Sequence, residues 1–207
     1  MNVRDYLALA PVVPVLTIHR AEDAVPLARA LTAGGLRVLE VTLRTPAALE
    51  AMKRIAAEAP DAVVAAGTVL SPGDLDRAAK AGARLAFSPG LADFMLEPGP
   101  IPMLPGVATA SEVMKALGAG IRTCKLFPAA QAGGVAMLKA LHGPLPDVAF
   151  CPTGGIDQAN AAQFLALPNV LCVGGSWVAP AKAIESGDWA GIERLARAAA
   201  ALGEAAA

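Results

Sequence analysis

Aromatic residues are scarce in this chain, 4% of 207 positions, so its interior has to be built from Ala, Val, Leu and Ile. A dominant charge is lacking as well: 17 Lys and Arg stand against 18 Asp and Glu, a net charge of −1, with no basic stripe. That balance argues against nucleic acid or an anionic membrane as the main partner. Cysteine is limited to Cys124, Cys151 and Cys172, each inside an apolar run and none in a Cys-x-x-Cys pair. An odd count without pairing spacing argues against a disulfide framework and for small core hydrophobes in a reducing compartment. There is no zinc-type cluster and no His-Glu-x-x-His helix, so no metal site is implied. The apolar stretch from Tyr6 to Ile18 is broken by Pro11 and Pro14, follows no basic region, and runs into Arg20, Glu22 and Asp23. A signal peptide or transmembrane span is therefore not expected, and a cytoplasmic protein is.

What remains is hydrophobic: 55% apolar residues and 17% charged exclude disorder and require much buried surface. The pattern along the chain alternates. A short N-terminal helix over about Val3 to Leu9 precedes an apolar run, Val12 to Leu16, and a helical stretch from about Glu22 to Ala33 that Gly34-Gly35 stops. Val38 to Leu43 reads as strand and Pro46 to Ala59 as helix, with Thr45 as N-cap and Pro46 at the first helical position. Ala62 to Ala66 is a third strand, and Ser71-Pro72 opens a helix that ends at Gly82. Further strands are expected at Arg84 to Ser88, Ile101 to Leu104, Arg122 to Phe127, Val148 to Cys151 and Val170 to Val173. The intervening helices begin near Leu91, Ala110, Gly134 and Gln158, the last with Asp157 as N-cap, and Trp189 to Leu202 forms the final helix.

Continuous rather than alternating apolar runs mean strands covered on both faces, as in a parallel sheet wrapped by helices. About eight such βα units fit a compact α/β protein, a single (β/α)8 TIM barrel spanning residues 1–207 with a short N-terminal helix. A doubly wound open sheet is the competing architecture, but the first βα turn, Leu16 to Glu22, has no glycine fingerprint.

A barrel puts its functional groups at the C-terminal ends of its strands. Of the six lysines, only Lys125 lies within an apolar strand pattern, Ile121 to Pro128. An ammonium removed from water is costly, and burial favours the neutral, nucleophilic amine; the bland alternative is a side chain that snorkels to solvent. In the run Val38 to Arg44, period-two geometry puts Glu40, Thr42 and Arg44 on one face. A carboxylate in so apolar a run needs a partner or a task, and a purely structural Glu40–Arg44 or Glu40–Lys125 ion pair would satisfy it. Gly67-Thr68 ends the third strand and Ser88-Pro89-Gly90 the fourth, both consistent with plain turns. Thr153-Gly154-Gly155 and Gly174-Gly175-Ser176 follow the last two strands. Paired glycines there expose backbone N–H groups, a following helix adds its positive end, and these are the loops where barrels frequently bind phosphate. Tight βα turns are the structural alternative. His19, in a loop, and His142, at a helix C-terminus, carry less.

Taken in order, Leu39-Glu40-Val41-Thr42-Leu43-Arg44-Thr45, Gly67-Thr68-Val69-Leu70, Phe87-Ser88-Pro89-Gly90, Lys125-Leu126-Phe127-Pro128-Ala129, Phe150 to Ile156 and Val170 to Trp177 resemble the 2-keto-3-deoxy-6-phosphogluconate (KDPG) aldolase family. The likeness covers nearly the whole chain. It implies a homotrimeric class I aldolase of the Entner–Doudoroff pathway, needing no cofactor, that cleaves a phosphorylated 2-keto-3-deoxy sugar acid to pyruvate and glyceraldehyde 3-phosphate. By that resemblance Lys125 is the Schiff-base lysine and Glu40 the general acid and base. Arg44 and Thr68 hold the pyruvate carboxylate, and Pro89, Phe127 and Thr153 lie beside the substrate. Gly154, Gly155, Gly175 and Ser176 bind phosphate. One departure is visible: Ala130 stands where many members of the family carry glutamate. The competing functions are a 2-dehydro-3-deoxy-6-phosphogalactonate or 4-hydroxy-2-oxoglutarate aldolase, a phosphate-binding barrel isomerase or synthase, and a non-catalytic phosphoester-binding barrel.

Overall fold

The computed structural model describes residues 1–203. Helix α1 (Val3–Leu7) is closed by a capping box in which Asn2 and Asp5 exchange backbone and side-chain hydrogen bonds. Strand β1 (Val12–Leu16) leads through one turn of 3-10 helix, Ala21–Asp23, into α2 (Ala24–Ala33). There follow β2 (Val38–Thr42), α3 (Ala48–Glu58), β3 (Val63–Gly67), α4 (Pro72–Lys80) and β4 (Leu85–Phe87). Next come β5 (Met103–Leu104), β6 (Gly106–Val107), α5 (Ala110–Gly118), β7 (Thr123–Leu126) and α6 (Gly134–His142). The described part ends with β8 (Ala149–Phe150), α7 (Ala161–Leu165), β9 (Val173–Gly175), α8 (Ala181–Ser186) and α9 (Trp189–Ala200). Among the described residues, no helix is long and apolar enough to cross a membrane.

Every strand pairing is parallel. Six strands form a curled sheet in the order β5-β4-β3-β2-β1-β9, and three form a second, β6-β7-β8. The two sheets meet at two seams. At one, only Pro105 separates β5, which pairs with β4, from β6, which pairs with β7. At the other, isolated bridges join Phe150 to Val170 and Thr153 to Gly174.

The continuous apolar runs resolve into two cores because successive side chains point to opposite faces. On β2, Leu39 and Val41 pack outward into the large cluster beneath the helices, while Val38 belongs to a second cluster. That inner cluster gathers Val13, Ala65, Leu85, Cys151 and Cys172 from the concave faces, with Leu7 of α1 buried among them. Helix α1 thus covers the N-terminal end of the strands and leaves the C-terminal end for chemistry. The small size of most inner residues matches the scarcity of aromatics: Phe87 is the one fully buried ring in that cluster, with the partly buried Tyr6 packed against it.

The α/β class, the parallel sheet and most elements agree with the sequence reading, but several local expectations need correcting. The capping of α3 differs: its N-cap is Ala47, and Thr45 instead donates its hydroxyl to the Ile18 carbonyl, so a tertiary contact took the capping residue. The helix expected near Leu91 is a single 3-10 turn, Asp93–Leu96. The helix expected from Gln158 starts at Ala161, because the Asp157 carboxylate accepts from the N–H groups of Ala159 and Asn160 and holds a turn before it. The expected fifth strand is split at Pro105 into β5 and β6, which pair in different sheets, and β9 starts at Val173 rather than Val170. Helix α8 was not anticipated.

All three cysteines are free and buried, and burial pushes the Cys124 thiol from its ordinary 9.0 up to about 12. The folded state then keeps a proton that the unfolded chain has already lost, so this contribution to stability is complete below about pH 9 and disappears as the pH rises towards 12. Denaturant titrations across that range should show stability falling more steeply in the native chain than in Cys124→Ala. Equal slopes would show that the thiol contributes nothing.

Candidate active site

Strand β2 presents Val38, Glu40 and Thr42 to the concave side, and β7 presents Thr123 and Lys125; all five are buried. The two strands belong to different sheets, so their inward side chains meet across the interior. Lys125 Nζ donates to Glu40 Oε1 at 2.9 Å and to Oε2 at 3.2 Å. The pair is almost wholly removed from water, with 4% of Lys125 and 1% of Glu40 exposed. The lysine does not snorkel. Its ammonium lies 5.4 Å from the centroid of the Phe87 ring and 5.5 Å from that of Phe127, within range of favourable cation–π attraction.

Room for the carboxylate comes from the neighbouring strand. Gly67 sits beside Glu40 on β3, and a Cβ added there would lie 2.5 Å from Glu40 Oε1. The same device recurs where Gly174 of β9 faces the Thr153 side chain. Thr153 is buried next to Cys151 on the concave side.

Around this pair the other expected residues gather at the C-terminal ends of the strands. Arg44 has left β2 and is exposed, and its Nε donates to Thr68 Oγ1 at 3.1 Å. Thr68 adopts a left-handed backbone (φ 61°), an uncommon state for a β-branched residue, directly after β3. Pro89 follows β4 and is half-buried, and its carbonyl lies where a Cβ on Gly106 would stand. Phe127 follows Lys125 on the way into the turn and is half-buried. Gly154 and Gly155 both have positive φ, 101° and 72°. Their carbonyls are turned into the protein, accepting from Ala130 N and Asn160 Nδ2. Gly175 ends β9 in register with Pro14, and the exposed Ser176 follows it at the rim. Ala130, the departure from the family pattern, packs its methyl against this turn, where a Cβ on Gly155 would stand.

One expectation about the glycine loops does not hold. The helices after them begin at Ala161 and Ala181, several residues further on, and are only 5 and 6 residues long. Their dipoles add little at the loops, which leaves backbone N–H groups and the Ser176 hydroxyl as the donors there. His19 is exposed beyond β1, and His142 ends α6. Sequence reasoning passed over Thr17, which lies at the same rim with its hydroxyl 3.4 Å from that of Thr42. The signal was present: Thr17 continues the inward phase of Val13 and Val15.

Chemically, the arrangement couples a buried primary amine to a carboxylate that can take or return its proton. An arginine and a hydroxyl follow β2 and β3, and glycine turns follow β8 and β9. Comparison with known proteins agrees. The family model for KDPG and KHG aldolases matches residues 3–195. The chain belongs to the KDPG and KHG aldolase family. It is 52% identical over 199 residues to the KHG/KDPG aldolase of Escherichia coli (strain K12), covering 95% of this chain and 93% of that protein. It is likewise 52% identical over 199 residues to the 2-dehydro-3-deoxy-phosphogluconate aldolase of Dickeya dadantii, with the same coverages. Among solved structures, the KDPG aldolase of Legionella pneumophila, with pyruvate captured as a covalent carbinolamine, superposes with a TM-score of 0.94. That match has 48% identity and covers 97% of this chain and 98% of that one.

Gly67→Ala isolates the packing constraint of this aldolase-family site. The added methyl collides with the Glu40 carboxylate, so we expect a loss of about 1–3 kcal/mol in urea denaturation. An unchanged midpoint would mean that Glu40 shifts at no cost.

Proposed function

We propose that the chain is a class I aldolase that reversibly cleaves 2-dehydro-3-deoxy-6-phosphogluconate to pyruvate and glyceraldehyde 3-phosphate. The observation that carries this reading is the buried Lys125–Glu40 pair at the inward, C-terminal end of the strands. A phosphate-binding isomerase or a non-catalytic barrel would have use for the glycine loops but none for a lysine there. Kinship with proteins named for this reaction, one of them holding pyruvate as a carbinolamine, supports it further.

In the proposed cycle, Glu40 takes a proton from the Lys125 ammonium, and the free amine adds to the C2 ketone. Glu40 returns that proton to the carbinolamine hydroxyl, which leaves as water, and an iminium remains. The iminium draws electrons from C3. Glu40, now a carboxylate, removes the C4 hydroxyl proton directly or through a water as the C3–C4 bond breaks. The bonding pair moves into an enamine, and glyceraldehyde 3-phosphate departs. Glu40 then protonates C3, and water hydrolyses the iminium to release pyruvate and the free lysine. Arg44, with Thr68 fixed beside it, grips the substrate carboxylate through its remaining guanidinium N–H groups. Pro89, Phe127 and Thr153 line the reacting carbons, and Gly154, Gly155, Gly175 and Ser176 take the phosphate.

The E. coli relative's double name favours 4-hydroxy-2-oxoglutarate as a second substrate, which would use the same lysine and carboxylate without the phosphate loops. We also infer that the two sheets, continuous through Pro105 at one seam and bridged at the other, constitute one (β/α)8 barrel over a single domain. By family kinship we infer a homotrimer in the cytoplasm, which sedimentation velocity and cell fractionation would check.

Incubation with pyruvate followed by borohydride should leave a reduced adduct that mass spectrometry maps to Lys125, and Lys125→Ala should neither label nor turn over. Labelling at any other lysine defeats the assignment. For the phosphate loops, Ser176→Ala should raise KM for the phosphorylated acid about tenfold while leaving 4-hydroxy-2-oxoglutarate little affected. An equal rise for both substrates removes the phosphate role.

A further inference from the structure

We propose that Thr17 is a specificity-determining residue whose oxygen accepts a hydrogen bond from the C5 hydroxyl of the six-carbon substrate; this rests on the aldolase reading above. Strands β1 and β2 run in register with Val15 opposite Glu40 and Leu16 opposite Val41. The next residues, Thr17 and Thr42, therefore stand side by side one step nearer the rim than Glu40. Both continue the inward phase.

Their hydrogen bonds fix which way Thr17 can act. A threonine hydroxyl has one proton and two lone pairs. Thr42, fully buried, spends its proton on the Leu16 carbonyl at 2.8 Å. In the 3.4 Å contact between the two hydroxyls Thr42 can only accept, so Thr17 donates. With its proton turned towards Thr42, the Thr17 oxygen presents lone pairs that suit a hydrogen-bond donor. It is half-buried and borders a cavity of about 200 Å³ between the β1–α2 connection and α8, so protein does not cover it completely.

Position selects the substrate atom. Strand β1 lies between β2, which carries Glu40, and β9, which ends in Gly175 and Ser176. A substrate joined through C2 to Lys125 and held by its C6 phosphate at Ser176 brings C4 to Glu40. C5 follows, over β1. The C5 hydroxyl is a neutral donor, matched to what Thr17 has left.

The condensation direction tests this cleanly, because the 2-hydroxyl of glyceraldehyde 3-phosphate becomes the C5 hydroxyl. With pyruvate as donor, kcat/KM for glyceraldehyde 3-phosphate should exceed that for 3-phosphooxypropanal, which lacks the hydroxyl, by roughly tenfold. In Thr17→Val the preference should collapse to about twofold or less, because only the hydroxylated aldehyde slows, and Thr17→Ser should restore it. Pyruvate adduct formation at Lys125 by Thr17→Val shows that the variant is folded. A preserved preference, or equal losses on both aldehydes, overturns the role of Thr17. If the native chain itself forms no adduct and no aldol product, the aldolase reading fails instead.

Discussion

The contact between Lys125 and Glu40 sets the terms for much of what surrounds it. Two charges have been taken out of water, and their mutual attraction repays that cost only with good geometry and satisfied neighbours. The fold provides both. Gly67 gives the carboxylate its space, Phe87 and Phe127 present their rings to the ammonium, and the two partners approach from different sheets. A stability-driven design would put two apolar residues there. Retaining the pair in an interior otherwise lined by Val, Ala, Leu, Cys and Phe87 holds an amine and a carboxylate in hydrogen-bonding contact at 2.9 Å.

Around that pair, polarity rises towards one end of the strands. Helix α1 and the inner apolar cluster close the N-terminal end, so polar groups have only the other end in which to reach water. The inward phase of β2 illustrates the gradient: Val38 in the apolar layer, Glu40 at the amine, Thr42 at the rim. Beyond the strands, Arg44 pairs with Thr68 after β2 and β3, and the glycine turns with Ser176 follow β8 and β9.

Elements defined by local chemistry were legible without coordinates. Ser71-Pro72 opens α4 as its capping and ring geometry dictate, and Gly34 ends α2. One error fell where a distant contact outbid the local preference: Thr45 has the chemistry of an N-cap but spends its hydroxyl on Ile18. Another was a choice between two local structures, since Asp157 holds a turn in place of a helix start. The glycine pairs were visible as anion-type loops, yet the short helices that follow them begin too late to add their dipoles.

By itself, the sequence determined the class and the cast: apolar runs covered on both faces, one lysine among them, a carboxylate on a period-two face, and paired glycines after late strands. Those follow from local periodicity and residue chemistry, and the family likeness rests on the same residues in order. Only the tertiary structure decided that Lys125 meets Glu40, 85 positions away, rather than solvent, because curvature brings β2 and β7 face to face. It alone decided that Arg44 pairs with Thr68 and that Thr17 stands against Thr42. Register between parallel strands, which no single strand encodes, aligns those side chains.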